Sequence, residues 1–231
     1  MHTTMLSNSY DLILIALPLM LSIWPFGRRK KRVDMEEEKP ESAFDASPTE
    51  NWAVAINLAL LGRFTDALRR FQAMVQENPQ NPALHYNIGL AHLEMGEFRT
   101  AVESFQRATE LAPERPDAYA NLGVSLHQLR RLDEACEAYR QALQLKPDEA
   151  DYYYNWGTAL MAKTDPTAAV EMLGHAYNSK PNDPEYCFNF AFSLAKVERH
   201  EDARRVFESF LKLSRGRDPK REDWIRNYLG A

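Results

Sequence analysis

Histidine and cysteine are the residues of this chain whose chemistry could support metal binding or nucleophilic catalysis. Among the six histidines, His85 and His92 lie seven residues apart and could share one face of a helix. No His-x-x-x-His or Cys-x-x-Cys set occurs, and Cys136 and Cys187 alone cannot form a thiolate metal site or a disulfide framework. The sequence also lacks a glycine-rich phosphate loop and a nucleophile elbow. We therefore expect no metal, no cofactor and no catalytic residue.

Four sets of residues recur at a spacing of 34, and they identify the elements that position the remaining side chains. The first set is proline: Pro79, Pro113, Pro147 and Pro181. The second set is alanine: Ala67, Ala101, Ala135, Ala169 and Ala203. The third set is small: Ala55, Gly89, Gly123, Gly157 and Ala191. The fourth set is bulky: Phe71, Phe105, Tyr139, Leu173 and Phe207. Five repeated units follow from this register.

Each unit is predicted to contain two short helices. In the second unit, apolar residues have helical spacing from Tyr86 to Leu93, stop at Gly96 and resume at Phe98. The small set is expected where the two helices cross, and the bulky set is expected to fill the seam against the next unit. After the fifth unit, a further cap-and-proline start at Asp218 predicts a short terminal helix.

These residues resemble the tetratricopeptide repeat family. The match consists of an Asn-[Ile/Leu/Trp]-Gly start, the alanine and aromatic residue of the second helix, and the closing proline, and it is clearest at 86–89 and 120–123. The first unit departs from the pattern at Ala53 and Ala55, and the fifth departs from it at Ala191 and Arg215. Atypical terminal units are expected, because they act as caps.

The resemblance implies an all-α fold, a right-handed solenoid of five helix-turn-helix units over residues 48–217. Residues 218–231 would form a C-terminal capping helix. Residues 1–47 would hold a membrane anchor, a basic cluster and an acidic linker.

The amino-terminal segment is predicted to be a single-pass membrane anchor. Residues 12–26 carry no charge and are nearly all apolar, and a basic cluster follows at 28–32. A helix of fifteen residues is about 22 Å long, which is shorter than the hydrocarbon core of a bilayer, about 30 Å thick. The basic cluster predicts that the repeats lie on the cytoplasmic side. Interfacial binding and a divergent export signal remain as alternatives, although the segment has neither an amphipathic stripe nor a preceding positive charge.

Composition excludes several classes of protein. A net charge of −5 leaves no overall basic footprint for nucleic acid. A mean hydropathy of −0.51 excludes a polytopic membrane protein. The five units, the anchor region and the terminal helix together account for the chain, so no catalytic domain is expected. We expect a non-enzymatic protein with a protein partner and no small-molecule substrate.

The resemblance implies that the first helix of each unit lines a concave groove that binds peptides or partner helices. The predicted contact residues are Tyr86, Asn87, Leu90, Asn121, Tyr154, Asn155, Phe188, Asn189 and Phe192. Asparagine offers a donor and an acceptor to a peptide backbone, although such amides also bond locally within repeats. No lysine or arginine occupies the inward positions, which predicts a hydrophobic or amphipathic partner segment and weak salt dependence.

The resulting functional hypothesis is a membrane-tethered adaptor or assembly factor. The layout resembles bacterial family members that help assemble membrane complexes, secretion systems or pili. Two alternatives stay open. One is a periplasmic or lumenal chaperone whose amino-terminal segment is an export signal, and the other is a regulatory subunit of an enzyme.

Overall fold

The structure, a computed structural model, describes residues 48–230. The predicted anchor, basic cluster and linker in residues 1–47 lie outside the described residues. Two compact units are present, one ending at Glu77 and the other beginning at Asn78, and each is described by itself. Between residues 48 and 230 the secondary structure consists of helices and turns, with no strand, which confirms the predicted all-helical class.

The first compact unit contains one helix pair. Helix α1 (Pro48–Leu60) is followed after a short turn by α2 (Phe64–Glu77). The Trp52 ring packs edge-on against Phe71 with centroids 5.8 Å apart. Arg70 donates a hydrogen bond to the side chain of Asn51 at 3.0 Å. Buried aromatic packing therefore holds this pair together.

The second compact unit contains four further helix pairs and a terminal helix. The first helices of these pairs, which we call the A helices, are α3 (Pro82–Glu94), α5 (Pro116–Gln128), α7 (Ala150–Ala162) and α9 (Pro184–Lys196). Their B helices are α4 (Phe98–Leu111), α6 (Leu132–Leu145), α8 (Pro166–Ser179) and α10 (His200–Ser214). The terminal helix is α11 (Pro219–Leu229).

Contacts in the second compact unit follow chain order. Each A helix packs against its own B helix, each B helix packs against the next A helix, and successive A helices touch. Helix α11 contacts α10 at the carboxyl-terminal end. This is the nearest-neighbour pattern of a helical repeat array.

The small and bulky sets meet inside the three repeats whose small residue is glycine, which corrects one expectation. A Cβ added to Gly89 would lie 2.7 Å from the Phe105 ring, and one added to Gly123 would lie 2.7 Å from Tyr139. The bulky residue thus packs on the glycine of its own unit, whereas the sequence analysis placed it in the seam with the next unit. All five side chains of the alanine set are fully buried.

The turn inside every helix pair, that between α1 and α2 included, contains one residue with a left-handed backbone. The five positions repeat at the same spacing of 34: Gly62, Gly96, Arg130, Thr164 and Glu198. Their φ angles lie between 60° and 77°. Only two of the five are glycine, so the other three adopt a conformation that costs about 1–2 kcal/mol for a residue with a Cβ.

Tyrosines near the starts of A helices link neighbouring repeats. The Tyr152 hydroxyl donates to Asp117, and the Tyr186 hydroxyl donates to Asp151, one unit earlier in each case. Burial, together with these carboxylates, raises the pKa of both tyrosines. The hydroxyls are therefore protonated donors at neutral pH, and they fix successive A helices in register.

None of the helices between residues 48 and 230 is long and apolar enough to cross a membrane.

Candidate functional site

The candidate site lies on the A helices α5, α7 and α9, where predicted contact residues remain partly exposed. Six of the nine predicted residues are partly exposed: Asn121, Tyr154, Asn155, Phe188, Asn189 and Phe192. The other three, Tyr86, Asn87 and Leu90, are at most 3% exposed. These three are core residues of the α3–α4 pair, so we leave them out of the candidate site. Whether the remaining six contact a partner stays a prediction.

Two of the asparagines hold neighbouring A helices together. The amide nitrogen of Asn121 donates to the Tyr86 hydroxyl at 3.0 Å, and that of Asn189 donates to the Tyr154 hydroxyl at 3.0 Å. Each bond joins an asparagine to the tyrosine one unit earlier. Asn87 instead donates to the carbonyl of Ala83 in its own helix at 2.7 Å. These amides therefore act within the fold. The bond of Asn87 is local to its helix, whereas the bonds of Asn121 and Asn189 cross between neighbouring repeats.

Asn155 is the exception in this set. The residue one unit earlier, at the position that Tyr86 and Tyr154 occupy in their units, is Ala120, which has no hydroxyl. The Asn155 side chain makes no hydrogen bond within the described residues and is partly exposed. Its amide donor and carbonyl acceptor are therefore available to an incoming peptide backbone.

Partly exposed residues lie near Asn155 in the array. Thr158 is one turn further along α7, and Val124 is on the preceding A helix. The Thr158 hydroxyl donates to the backbone carbonyl of Asn155 at 2.8 Å. The adjacent Tyr154 ring stacks on Tyr186 with centroids 4.8 Å apart.

At the carboxyl-terminal end of the site, α11 covers two predicted aromatic contacts. Phe188 and Phe192 stack with centroids 6.1 Å apart. The Trp224 ring of α11 lies 6.2 Å from Phe188 and 5.8 Å from Phe192, and it is 42% exposed. A partner would therefore meet Trp224 as well as the two phenylalanines. The sequence analysis did not assign Trp224 to the site, although its spacing on one face of the terminal helix was visible.

Cations lie over the aromatic rings, which sequence analysis did not anticipate. The guanidinium of Arg115 is 4.2 Å from the Tyr86 ring centroid, and that of Arg221 is 4.5 Å from the Phe188 centroid. The Lys196 ammonium is 5.2 Å from the Phe192 centroid. None of the three belongs to the inward positions read from the sequence: Arg115 precedes α5, Arg221 lies on α11, and Lys196 lies one turn after Phe192 on α9. The premise of a groove without lysine or arginine is therefore wrong.

Histidines and cysteines in the described part make structural contacts. His85 bonds to the carbonyl of Pro79 at 2.8 Å, and His92 Nδ1 lies 2.6 Å from the Glu97 carboxylate. The Cys187 thiol donates to the carbonyl of Pro181 at 3.2 Å, and burial raises its pKa to about 11. Burial also raises the pKa of Cys136. Among the residues that the structure describes, no cluster of His, Cys, Asp and Glu could hold a metal ion.

Residues 55–94 and 86–150 match the tetratricopeptide repeat family. No curated protein matches the chain.

Several solved structures share the fold. MamA from Desulfovibrio magneticus RS-1 is 20% identical, with a TM-score of 0.68 over 74% of this chain and 96% of that one. PilF from Pseudomonas aeruginosa is 18% identical, with a TM-score of 0.64 over 71% of this chain and 75% of that one. YrrB, described as a repeat protein of this family with an unusual peptide-binding site, is 16% identical, with a TM-score of 0.62 over 71% and 84%. At sequence identities of 16–20%, the similarity between this chain and these structures concerns the fold alone.

Proposed function

Because the chain carries tetratricopeptide repeats, we propose that it is a non-enzymatic adaptor that binds a segment of a partner protein. The partner segment lies along α5, α7 and α9, with its backbone bonded to Asn155 and its apolar side chains against Val124, Phe188 and Phe192. The observation that supports the proposal is the free side-chain amide of Asn155. The amides at the equivalent positions of other units, those of Asn87, Asn121 and Asn189, form hydrogen bonds inside the fold. YrrB, which shares the fold, is described as having a peptide-binding site.

Asn155 and Asn121 offer a matched pair of variants to test this function. Asn155→Ala removes an amide with no partner inside the described chain, so we expect binding to weaken by about tenfold while the melting temperature stays unchanged. Asn121→Ala removes the bond to Tyr86, so we expect a loss of about 1 kcal/mol in the free energy of unfolding. The probe is a peptide selected on the full-length chain from a random-sequence library, with affinity measured by calorimetry. Unchanged affinity in Asn155→Ala would place the binding site elsewhere.

We propose further that residues 12–26 tether the adaptor to a membrane, with the repeats on the cytoplasmic side. The uncharged apolar stretch and the basic cluster at 28–32 support this placement. Such a protein would recruit or help assemble its partner at the membrane. The full-length chain should then stay in the membrane fraction after a high-salt wash, because apolar insertion is insensitive to ionic screening. Release by salt alone would reject the tether.

A further inference from the structure

Exposed cations gather around the turn between α10 and α11. Lys212 lies in the last turn of α10, Arg215 and Arg217 lie in the connecting turn, and Lys220 lies in the first turn of α11; none of the four forms an ion pair within the described residues. We call this set the basic turn. Exposed arginines elsewhere are commonly paired with an acid three residues away, such as Arg131 with Glu134 and Arg140 with Glu137. The chain as a whole carries a charge of −5, so this is a local excess of the opposite sign.

The basic turn adjoins the carboxyl-terminal end of the candidate site. Arg221 follows Lys220 directly and lies over the Phe188 ring. Trp224, one helical turn further on, packs against Phe188 and Phe192. A segment that runs along α9 and crosses Trp224 would therefore reach the basic turn without a break.

The backbone donors of this turn are already used. The Gly216 N–H donates to the Glu222 carboxylate at 2.6 Å, and the Asp218 N–H donates to Ser214 at 3.3 Å. The Arg221 N–H donates to the Asp218 side chain at 3.1 Å, which caps α11. No backbone cradle for a small anion is therefore offered here. The four unpaired cations are at the ends of long, solvent-exposed side chains. Such cations can bind several carboxylates that are spread along a partner segment.

We propose that the basic turn binds acidic residues of the partner segment whose apolar part lies in the candidate site. This inference rests on the proposed function and specifies the class of partner: an apolar or aromatic stretch with an acidic extension at the end that lies over α11. The positive charge of the basic turn favours partner segments with a negatively charged extension over neutral or basic ones. It also reverses the earlier expectation of weak salt dependence, since binding should now weaken several-fold between about 0.05 M and about 0.5 M salt.

A random-sequence peptide library displayed on phage and selected on the full-length chain tests both the class of partner and the basic turn. We expect the selected peptides to combine aromatic or leucine residues with acidic residues at one end. The charge reversal Arg217→Glu with Lys220→Glu should weaken binding of those peptides by at least about tenfold. Arg217 lies in the turn, and a glutamate at position 220 is favoured in the first turn of α11, so this variant should fold. The control Arg99→Glu with Arg140→Glu makes the same change in net charge on α4 and α6 and should leave binding unchanged.

The outcomes separate this inference from the proposed function. Selection of apolar peptides without acidic residues, or equal binding by the charge-reversed variant, would overturn the inference and leave the adaptor function standing. Failure to select any peptide would overturn both. A third arm uses vesicles of phosphatidylcholine with about 30% phosphatidylserine. If the charge reversal lowers vesicle binding but not peptide binding, the basic turn contacts a membrane surface, and the inference is rejected.

Discussion

The side-chain amide of Asn155 lacks the hydrogen bond that Asn121 and Asn189 make to a tyrosine of the preceding unit. That unit carries Ala120 at the position of Tyr86 and Tyr154, so it offers no hydroxyl to Asn155. One alanine in an aromatic set therefore changes an asparagine from a structural residue into an available binding group. Its identity was visible in the sequence, but its effect depends on a contact across 35 residues.

The alanine set gives a test of packing at single residues. Ala135 and Ala203 are both fully buried, so replacing either with leucine should lower the free energy of unfolding by about 1–3 kcal/mol. We expect similar costs at the two sites, because α11 packs on the last pair and buries Ala203 as completely as Ala135. Denaturant titration measures the two losses. A negligible loss at Ala203 alone would show that the last helix pair is loosely packed.

At the scale of elements, the turns between A and B helices hold a common left-handed residue. Thr164 takes this conformation with φ of 63° despite its branched side chain, whereas Gly62 and Gly96 take it without a Cβ. Thr164→Gly should therefore raise the free energy of unfolding by about 1 kcal/mol, even after the loss of chain entropy that glycine brings. The converse change, Gly96→Ala, should destabilise the chain. Thermal denaturation of both variants checks the pair, and a lower melting temperature for Thr164→Gly would contradict the account.

Helix α11 is fixed to α10 by a buried carboxylate. Glu222 accepts hydrogen bonds from the Ser214 hydroxyl at 2.6 Å, from the Gly216 N–H and from Arg226. These bonds, that from Ser214 above all, hold the pKa of Glu222 below its ordinary value. The stabilisation is thus complete above the ordinary pKa of a glutamate and is lost as the pH falls through the lowered pKa.

Acid should therefore loosen α11 before the repeats unfold. We expect amide-exchange protection of residues 219–229 to fall between about pH 6 and about pH 3, while that of α7 persists. In the Glu222→Gln variant, amide-exchange protection of residues 219–229 should be low at about pH 6 as well as at about pH 3. Equal protection of α11 in the wild-type chain across this range would mean that other contacts, such as those of Trp224, suffice.

Helices and repeats could be predicted from the sequence because they depend on local periodicity. The spacing of 34, the prolines and the caps at Asn81, Asp183 and Asp218 determine where helices start, and the structure has them there. Contacts between elements were harder to predict. The packing of Phe105 on Gly89 depends on how two helices cross, which periodicity does not specify.

The candidate site was predicted less completely for a similar reason. The Tyr86 ring is buried by contacts with Phe105 and Arg115, which lie in another helix and in the next repeat. The approach of Lys196 to Phe192, by contrast, is a contact one turn apart on a single helix. A pattern that identifies one face of a helix does not show what its neighbours cover. The groove residues from the sequence therefore include both core and surface positions.

At the scale of the whole molecule, we propose an adaptor with one composite partner surface. In this proposal Asn155 binds the partner backbone, the aromatic cluster around Trp224 supplies apolar contact, and the basic turn supplies charge. The three lie in sequence along the second compact unit, so one continuous partner segment can use them all.

Site-specific photo-crosslinking in the cells that produce the protein tests the binding surface directly. A photoreactive phenylalanine analogue at Thr158, in the candidate site on α7, is compared with the same analogue at Glu171, an exposed position on the paired helix α8. The account predicts a discrete crosslinked partner from position 158, lost when Asn155→Ala is added, and none from position 171. A partner crosslinked from position 171 but not from position 158 would contradict it.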